Sequence, residues 1–250
     1  MESPTCVKIH AAIYERIRAL NLPAGGKILD APCGAGEVCV ELAKSGFSMY
    51  GADMVDDLLP EARAVLGGNF RRTNFNEPLP WPDQTFDAII SAEGFEHLEN
   101  PFAFARELHR MCKPGGILIV TTPNVTSLRS RVRFLYSGFY NCDPRPLDES
   151  SRHPLHHIGL RTFPEWRYLL KVSGFELVQA TATHRKPISY FYGMNVPFIK
   201  LYTRIAFRKE KSPAQRERNK KIRSDLTSSD LLFGENLLLV ARKPRPAGSL

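Results

Sequence analysis

Residues 28–54, ILDAPCGAGEVCVELAKSGFSMYGADM, constrain the fold more than any other stretch of this chain. An apolar run breaks at a glycine-rich turn, recovers with helical periodicity, and ends in a second short apolar run closed by Asp53. Strand, tight turn, helix and second strand make a parallel βαβ unit. In Asp30-Ala-Pro-Cys-Gly34-Ala-Gly36 the glycines permit positive φ and let a ligand approach the backbone closely. A dinucleotide fingerprint would place a third glycine at position 39, where this chain carries Cys39. Asp53, at the tip of the second strand, is placed either for the ribose hydroxyls of an adenosine or as a turn or cap residue.

The rhythm continues downstream. Ile9, Ile13, Ile17 and Leu20 form a helical stripe ahead of the first strand. Periodicity predicts strands over 27–32, 48–53, 70–75, 86–92 and 117–122, with helices over 37–45, 58–66 and 101–111. After Pro123 the pattern turns polar, aromatic and proline-rich until a helix over 162–172. Strands over 175–181 and 236–242 follow. The expectation is one α/β domain with an N-terminal helix in 1–22 and a ligand-binding core over 23–124. Acceptor-side insertions or caps fill 125–160 and 184–232, and 244–250 forms a disordered tail.

Composition excludes several classes. Five cysteines, an odd number with no CxxC pair, argue against a disulfide framework or structural zinc and for reduced thiols. No apolar run approaches the ~20 residues that span a bilayer, and charges stand where a signal peptide needs an apolar core. The expected location is cytoplasmic, with peripheral membrane contact as an addition. A net charge of +8 favours anionic partners.

The series ILDAPCGAGE, GADM, NFNEPLPWPDQTFDAIISAEGFEHLENP and ELHRMCKPGGILIVTTPN resembles the class I S-adenosylmethionine-dependent methyltransferases, in order and spacing over residues 25–125. The resemblance implies a Rossmann-like, seven-stranded, mostly parallel sheet with helices on both faces and an antiparallel last strand, NLLLVAR. It implies S-adenosyl-L-methionine as cofactor, its amino-acid end held by Asp30, Gly34 and Gly36. Asp53 would take the ribose diol and Met54 would pack on adenine. Asn74, where relatives often carry Asp, would contact the adenine beside Phe75.

Glu93, Glu96 and His97 follow the fourth strand, where the methyl acceptor is expected. Glu-x-x-Glu-His resembles two groups of metal-dependent O-methyltransferases, those of the ubiquinone pathway and those acting on small-RNA 3′ ends. Both add a later histidine, for which His157 is chosen over His153 and His156 by its spacing to Thr162. On one helical turn Glu93, Glu96 and His97 would share a face, and with His157 they suit Mg, Mn, Fe or Zn. The alternative keeps His97, with His157, as general base or acceptor-orienting group without metal.

Asn124 is either an acceptor or cofactor contact or a turn residue. Arg129, Arg131 and Arg133, with Phe134, Tyr136 and Phe139, read equally as a lid over the acceptor or as a solvated basic helix. Segment 187–223 is basic and aromatic. If 197–209 is helical, Phe198, Leu201, Tyr202 and Ile205 form one face, with Lys200, Arg204 and Arg208 along another. That face could cap the domain, lie on an anionic membrane and admit a lipid-linked acceptor, or bind nucleic acid, for which no recognised module is present. The expected activity is methyl transfer to oxygen of a small or lipid-linked acceptor. RNA 2′-O-methylation and a non-catalytic binding or regulatory role stand as alternatives.

Overall fold

The computed structural model describes residues 3–151 and 153–246. Residues 247–250 of the expected tail, and residues 1–2 of the N-terminal segment, lie outside that range. Helix α1 (Pro4–Ala19) precedes β1 (Lys27–Asp30), α2 (Glu37–Lys44), β2 (Ser48–Asp53), α3 (Leu59–Leu66) and β3 (Phe70–Arg72). Then come β4 (Phe86–Ala92), α4 (Pro101–Met111), β5 (Cys112–Pro123), α5 (Leu128–Ser137), α6 (Phe163–Val172) and β6 (Glu176–Ala182). Helices α7 (Val196–Arg208), α8 (Pro213–Leu226) and α9 (Ser229–Phe233) lead into β7 (Asn236–Arg242).

The seven strands form one sheet in the order β3-β2-β1-β4-β5-β7-β6. Neighbours from β3 to β5 are parallel, and β7 enters antiparallel between β5 and β6. Successive strand residues face opposite sides, so parity sorts the core into two layers. Ile28, Ile90, Ile119 and Val240 meet Ile9, Ile13 and Ile17 of α1 and Val38 and Leu42 of α2. Leu29, Ile89, Leu118 and Leu239 meet Phe104 and Leu108 of α4 and Trp166 and Leu170 of α6. Both faces are covered, which is why the strands are continuous apolar runs.

Two strand boundaries differ most from those expected from periodicity. Strand β3 stops at Arg72 because Asn74 opens a turn, its Oδ1 accepting from the Asn76 amide at 3.1 Å. Strand β5 starts at Cys112 because Cys112 pairs with Phe86, and Lys113-Pro-Gly-Gly forms an irregularity in the ladder, with Gly115 at a φ of +80°, before pairing resumes at Ile117. Insertion 184–232 is largely helical, as expected of a helical cap: a 3-10 segment, Pro187–Asn195, then α7, α8 and α9. The strand order reverses direction between β1 and β4, so β1, β2, β4 and β5 end at one edge, where open α/β sheets carry their ligands.

Candidate active site

The turn after β1 is shaped by its glycines. Gly34 and Gly36 have φ of +54° and +94°, and a Cβ on Gly36 would press Val65 at 3.3 Å. Gly36 is the N-cap of α2 and brings no side-chain acceptor, so the first amides of α2 lack a capping side chain. Asp53 reaches the loop from the neighbouring strand. Its Oδ2 accepts from the Gly34 amide at 2.8 Å, and its Oδ1 accepts from the Met54 and Val55 amides at 2.7 and 2.8 Å. Burial raises the Asp53 carboxyl above its usual range despite the pull of those amides.

Asp30 closes β1 and is buried. Its Oδ2 accepts only a long contact from the Cys39 thiol at 3.7 Å, and its Oδ1 has no partner. Burial, then the nearby Asp53 and Glu37 charges, push the Asp30 carboxyl well above the ordinary range, against the Cys39 contact. A buried carboxylate oxygen without a donor is costly unless something brings one. Beside uncapped helix amides, it matches a ligand carrying an ammonium and a carboxylate on one carbon.

The adenine-side residues behave differently from one another. Met54 is partly exposed. Asn74 is exposed and spends its amide on Glu77 at 2.8 Å. Phe75 is buried and meets Phe104 edge-on at 5.2 Å, so its ring belongs to the core.

Beyond β4 the chain departs from the expected helical turn. Glu93 has a φ of +47°, and its amide donates to the Thr121 carbonyl at 3.0 Å. The 3-10 turn begins only at Phe95–His97, so Glu93 does not share its face with Glu96 and His97. Position 94 has room only for glycine, since a Cβ there would lie 2.3 Å from Pro32 Cδ. Glu93 Oε2 instead accepts from Asn236 at 2.8 Å, and Oε1 is buried without a partner. Burial pushes the Glu93 carboxyl up to about 7.

Glu96 is fully buried. Its Oε2 accepts from the Thr122 hydroxyl at 3.5 Å, and Oε1 has no partner. Burial, reinforced by Glu93, pushes it well above the carboxylate range. His97 Nδ1 lies 3.1 Å from the His156 carbonyl. A carbonyl only accepts, so Nδ1 carries the proton and Nε2 keeps its lone pair. Burial lowers the pKa of His97 and also of His157, which favours neutral rings.

The rings of His97 and His157 lie 4.9 Å apart. Ligating atoms of Glu96, His97 and His157 all fall within 4.8 Å of one another. Glu93, expected with them, lies outside this trio, and His156 contributes its carbonyl rather than its ring. The Gly159 amide donates to the Glu96 carbonyl at 2.8 Å and fastens the histidine loop to the turn.

Other candidates have structural employment. Asn124 is buried, donates to the Leu231 and Gly234 carbonyls at 3.0 Å each, and accepts from the Thr126 amide at 3.1 Å. Arg129 pairs with Glu235 at 3.1 Å, and Arg131 Nε donates to the Thr126 carbonyl at 2.6 Å. Asn236 and Thr122, which hold the two glutamates, were invisible to sequence reading because no local pattern links them to residues 93–96.

A sequence profile for the family described as "Methyltransferase domain" matches residues 8–180, more than half of the chain. A ubiquinone biosynthesis O-methyltransferase of Ruegeria pomeroyi is 34% identical over 106 residues, 40% of this chain and 42% of that protein. A probable S-adenosylmethionine-dependent methyltransferase of Mycolicibacterium smegmatis is 28% identical over 185 residues, 67% of this chain and 58% of that one. The matches thus span about half the length of these relatives. A putative methyltransferase from Bacillus halodurans superposes with a TM-score of 0.59 at 20% identity, covering 94% of this chain and 99% of that one, a likeness of fold. The chain belongs to the class I S-adenosylmethionine-dependent methyltransferase family.

Proposed function

We propose that the chain transfers the methyl group of S-adenosylmethionine to an oxygen of a small or lipid-linked acceptor, assisted by a divalent cation at Glu96, His97 and His157. The observation that carries this reading is the convergence of those three ligating atoms within 4.8 Å, beside an unpartnered oxygen of Glu96. The name of the Ruegeria pomeroyi relative supports oxygen as the atom methylated.

On the cofactor side, the partnerless Asp30 oxygen fits the ammonium and the uncapped amides of α2 fit the carboxylate. Gly34 and Gly36 allow close approach, Asp53 stands for the ribose hydroxyls, and Met54 is exposed enough to cover adenine. S-adenosylmethionine supplies an electrophilic methyl on a sulfonium. The overall transfer makes a C–O bond, breaks a C–S bond and releases the acceptor's proton, and that proton is what the chain's residues must handle. When bound, a cation such as Mg, Mn, Fe or Zn supplies Lewis acidity that lowers a hydroxyl pKa toward neutrality. Glu93, three residues before Glu96 after the same strand and with its carboxyl pushed up to about 7 by burial, is suited to take the proton.

A second reading is favoured by the neutral His97, whose Nδ1 is held by the His156 carbonyl so that Nε2 can act as general base without a cation. Incubation of the chain and a cell extract with methyl-labelled S-adenosylmethionine, with and without chelator, separates the readings. Label entering an acceptor and lost on chelation supports the cation. Label insensitive to chelator but lost in His97→Ala supports the base. Label entering RNA identifies a nucleic-acid acceptor, and no transfer despite cofactor binding identifies a non-catalytic member.

A lipid-linked acceptor requires the enzyme at a bilayer, and segment 187–223 supplies aromatic and basic groups for peripheral contact.

A further inference from the structure

We propose that the outer face of α7, the segment Pro187–Asn195 and the C-terminal end of α5 form one continuous surface that docks in the plane of an anionic phospholipid bilayer. The proposal rests on the reading above only for what docking accomplishes, namely delivery of a lipid-linked acceptor.

Helix α7 has no buried residue and packs only its inner side, on Pro187–Asn195 and α8. Val196, Ile199, Thr203 and Phe207 are the half-buried positions on that inner side. The other face is apolar and open: Phe198 and Tyr202 are each 74% exposed, with Leu201 and Ile205 between them. Phe191 and Met194, from the preceding segment, are as open. Helix α5 packs on the same segment and ends in Leu135 and Tyr136, 74% and 84% exposed. A cleft of about 330 Å³ joins the two, with Tyr136 on one wall and Tyr192 on the other. An open apolar patch drawn from three elements calls for a partner.

Charge selects which partner. Residues 187–209 contain Lys200, Arg204, Arg208 and Lys209, all exposed, and no acid; Arg133 is exposed on α5, whereas Lys186 and Arg129 are paired with Glu235. Lys200, Arg204 and Arg208 are exposed along one flank of the apolar stripe. Aromatic and aliphatic side chains seated at the headgroup boundary, beside cations that meet anionic phosphates, describe an interfacial helix. A second copy paired face to face across α7 would bring these cations onto one another. Nucleic acid would use the cations and the rings but gain little from Leu135, Met194, Leu201 and Ile205. Among the described residues no helix is long and apolar enough to cross a membrane, so the contact lies in the plane.

Position gives the contact a purpose. Helix α5 follows β5, whose Thr121 and Thr122 bond to Glu93 and Glu96, so the patch begins one element from the site.

The test is flotation of the full chain with vesicles of phosphatidylcholine alone or mixed with phosphatidylglycerol, at low and high salt. The expected result is flotation with the mixed vesicles only, weakened by salt. Three variants should each lower the bound fraction roughly tenfold or more: Phe198→Gln with Tyr202→Gln, Lys200→Glu with Arg204→Glu, and Leu135→Gln with Tyr136→Gln. All six positions are exposed, and each variant should keep wild-type cofactor affinity by calorimetry, which shows that it is folded. No flotation, or equal flotation on neutral vesicles, overturns the proposal. Undiminished flotation of the α5 variant overturns the continuous surface. So does dimerisation, or retention of RNA, that these substitutions abolish while vesicles are ignored. Flotation reads docking without methyl transfer, so a chain that floats and binds no cofactor would sink the proposed function and leave docking standing.

Discussion

Asp53 Oδ2 accepts a hydrogen bond from the Gly34 amide at 2.8 Å, so the acid closing β2 ties down the glycine turn that follows β1. One carboxylate thus shapes the loop that follows the neighbouring strand. Asp53→Ala leaves three amides without their acceptor, a loss partly offset because burial already penalises the carboxylate. The variant should lose about 2–4 kcal/mol of stability in denaturant unfolding and bind S-adenosylmethionine roughly tenfold or more weakly. Unchanged stability would show that the amides find other partners.

Glu96 is buried with one oxygen unpaired, and its folded pKa is raised. A raised carboxylate holds its proton in the folded state and releases it near the ordinary value when unfolded. Its stabilising contribution is therefore present at low pH and lost as pH rises through the folded pKa. Glu96→Gln removes this titration. The metal-free variant should be more stable than wild type at pH 8, by on the order of 2 kcal/mol, with the gap closing as pH falls toward the ordinary carboxylate range. Thermal melts across pH check this. A variant less stable than wild type at pH 8 would contradict it.

Cation affinity should follow the same proton. A cation at the trio displaces the proton of Glu96, whose carboxyl burial holds well above the ordinary range. Affinity for added Mn or Zn should therefore climb by about tenfold per pH unit below neutrality, and His97→Ala should lower it by roughly 10–100-fold. Flat affinity between pH 5 and pH 7, in titrations at roughly those two values, would exclude displacement of this proton.

Asn124 joins the end of β5 to the carbonyls of Leu231 and Gly234. Asn124→Ala should cost about 2–3 kcal/mol in denaturant unfolding, because buried partners are left unpaired, while cofactor affinity stays as in wild type. Loss of cofactor affinity at full stability would return Asn124 to the binding site.

Much of this architecture is legible in the chain itself. The alternation at Ile28 and Leu29, or Ile89 and Ile90, announces strands buried on both faces, and Asp53 stands where an apolar run must end. Local patterns cannot show what distant packing decides. Glu93 takes a positive φ with its amide bonded to Thr121 of the neighbouring strand, and Gly94 packs against Pro32 from another loop. Glu93 is held by Asn236, 143 residues away. Asn74 and Phe75 read as one adenine-side pair, yet one side chain closes a turn and the other fills the core.

The most direct measurement is calorimetric titration of the wild-type chain and Asp30→Ala with S-adenosylmethionine. The account predicts saturable binding at one site per chain, weakened roughly tenfold or more when the unpartnered Asp30 oxygen is removed. No saturable heat from wild type, or equal affinity in both proteins, would contradict it.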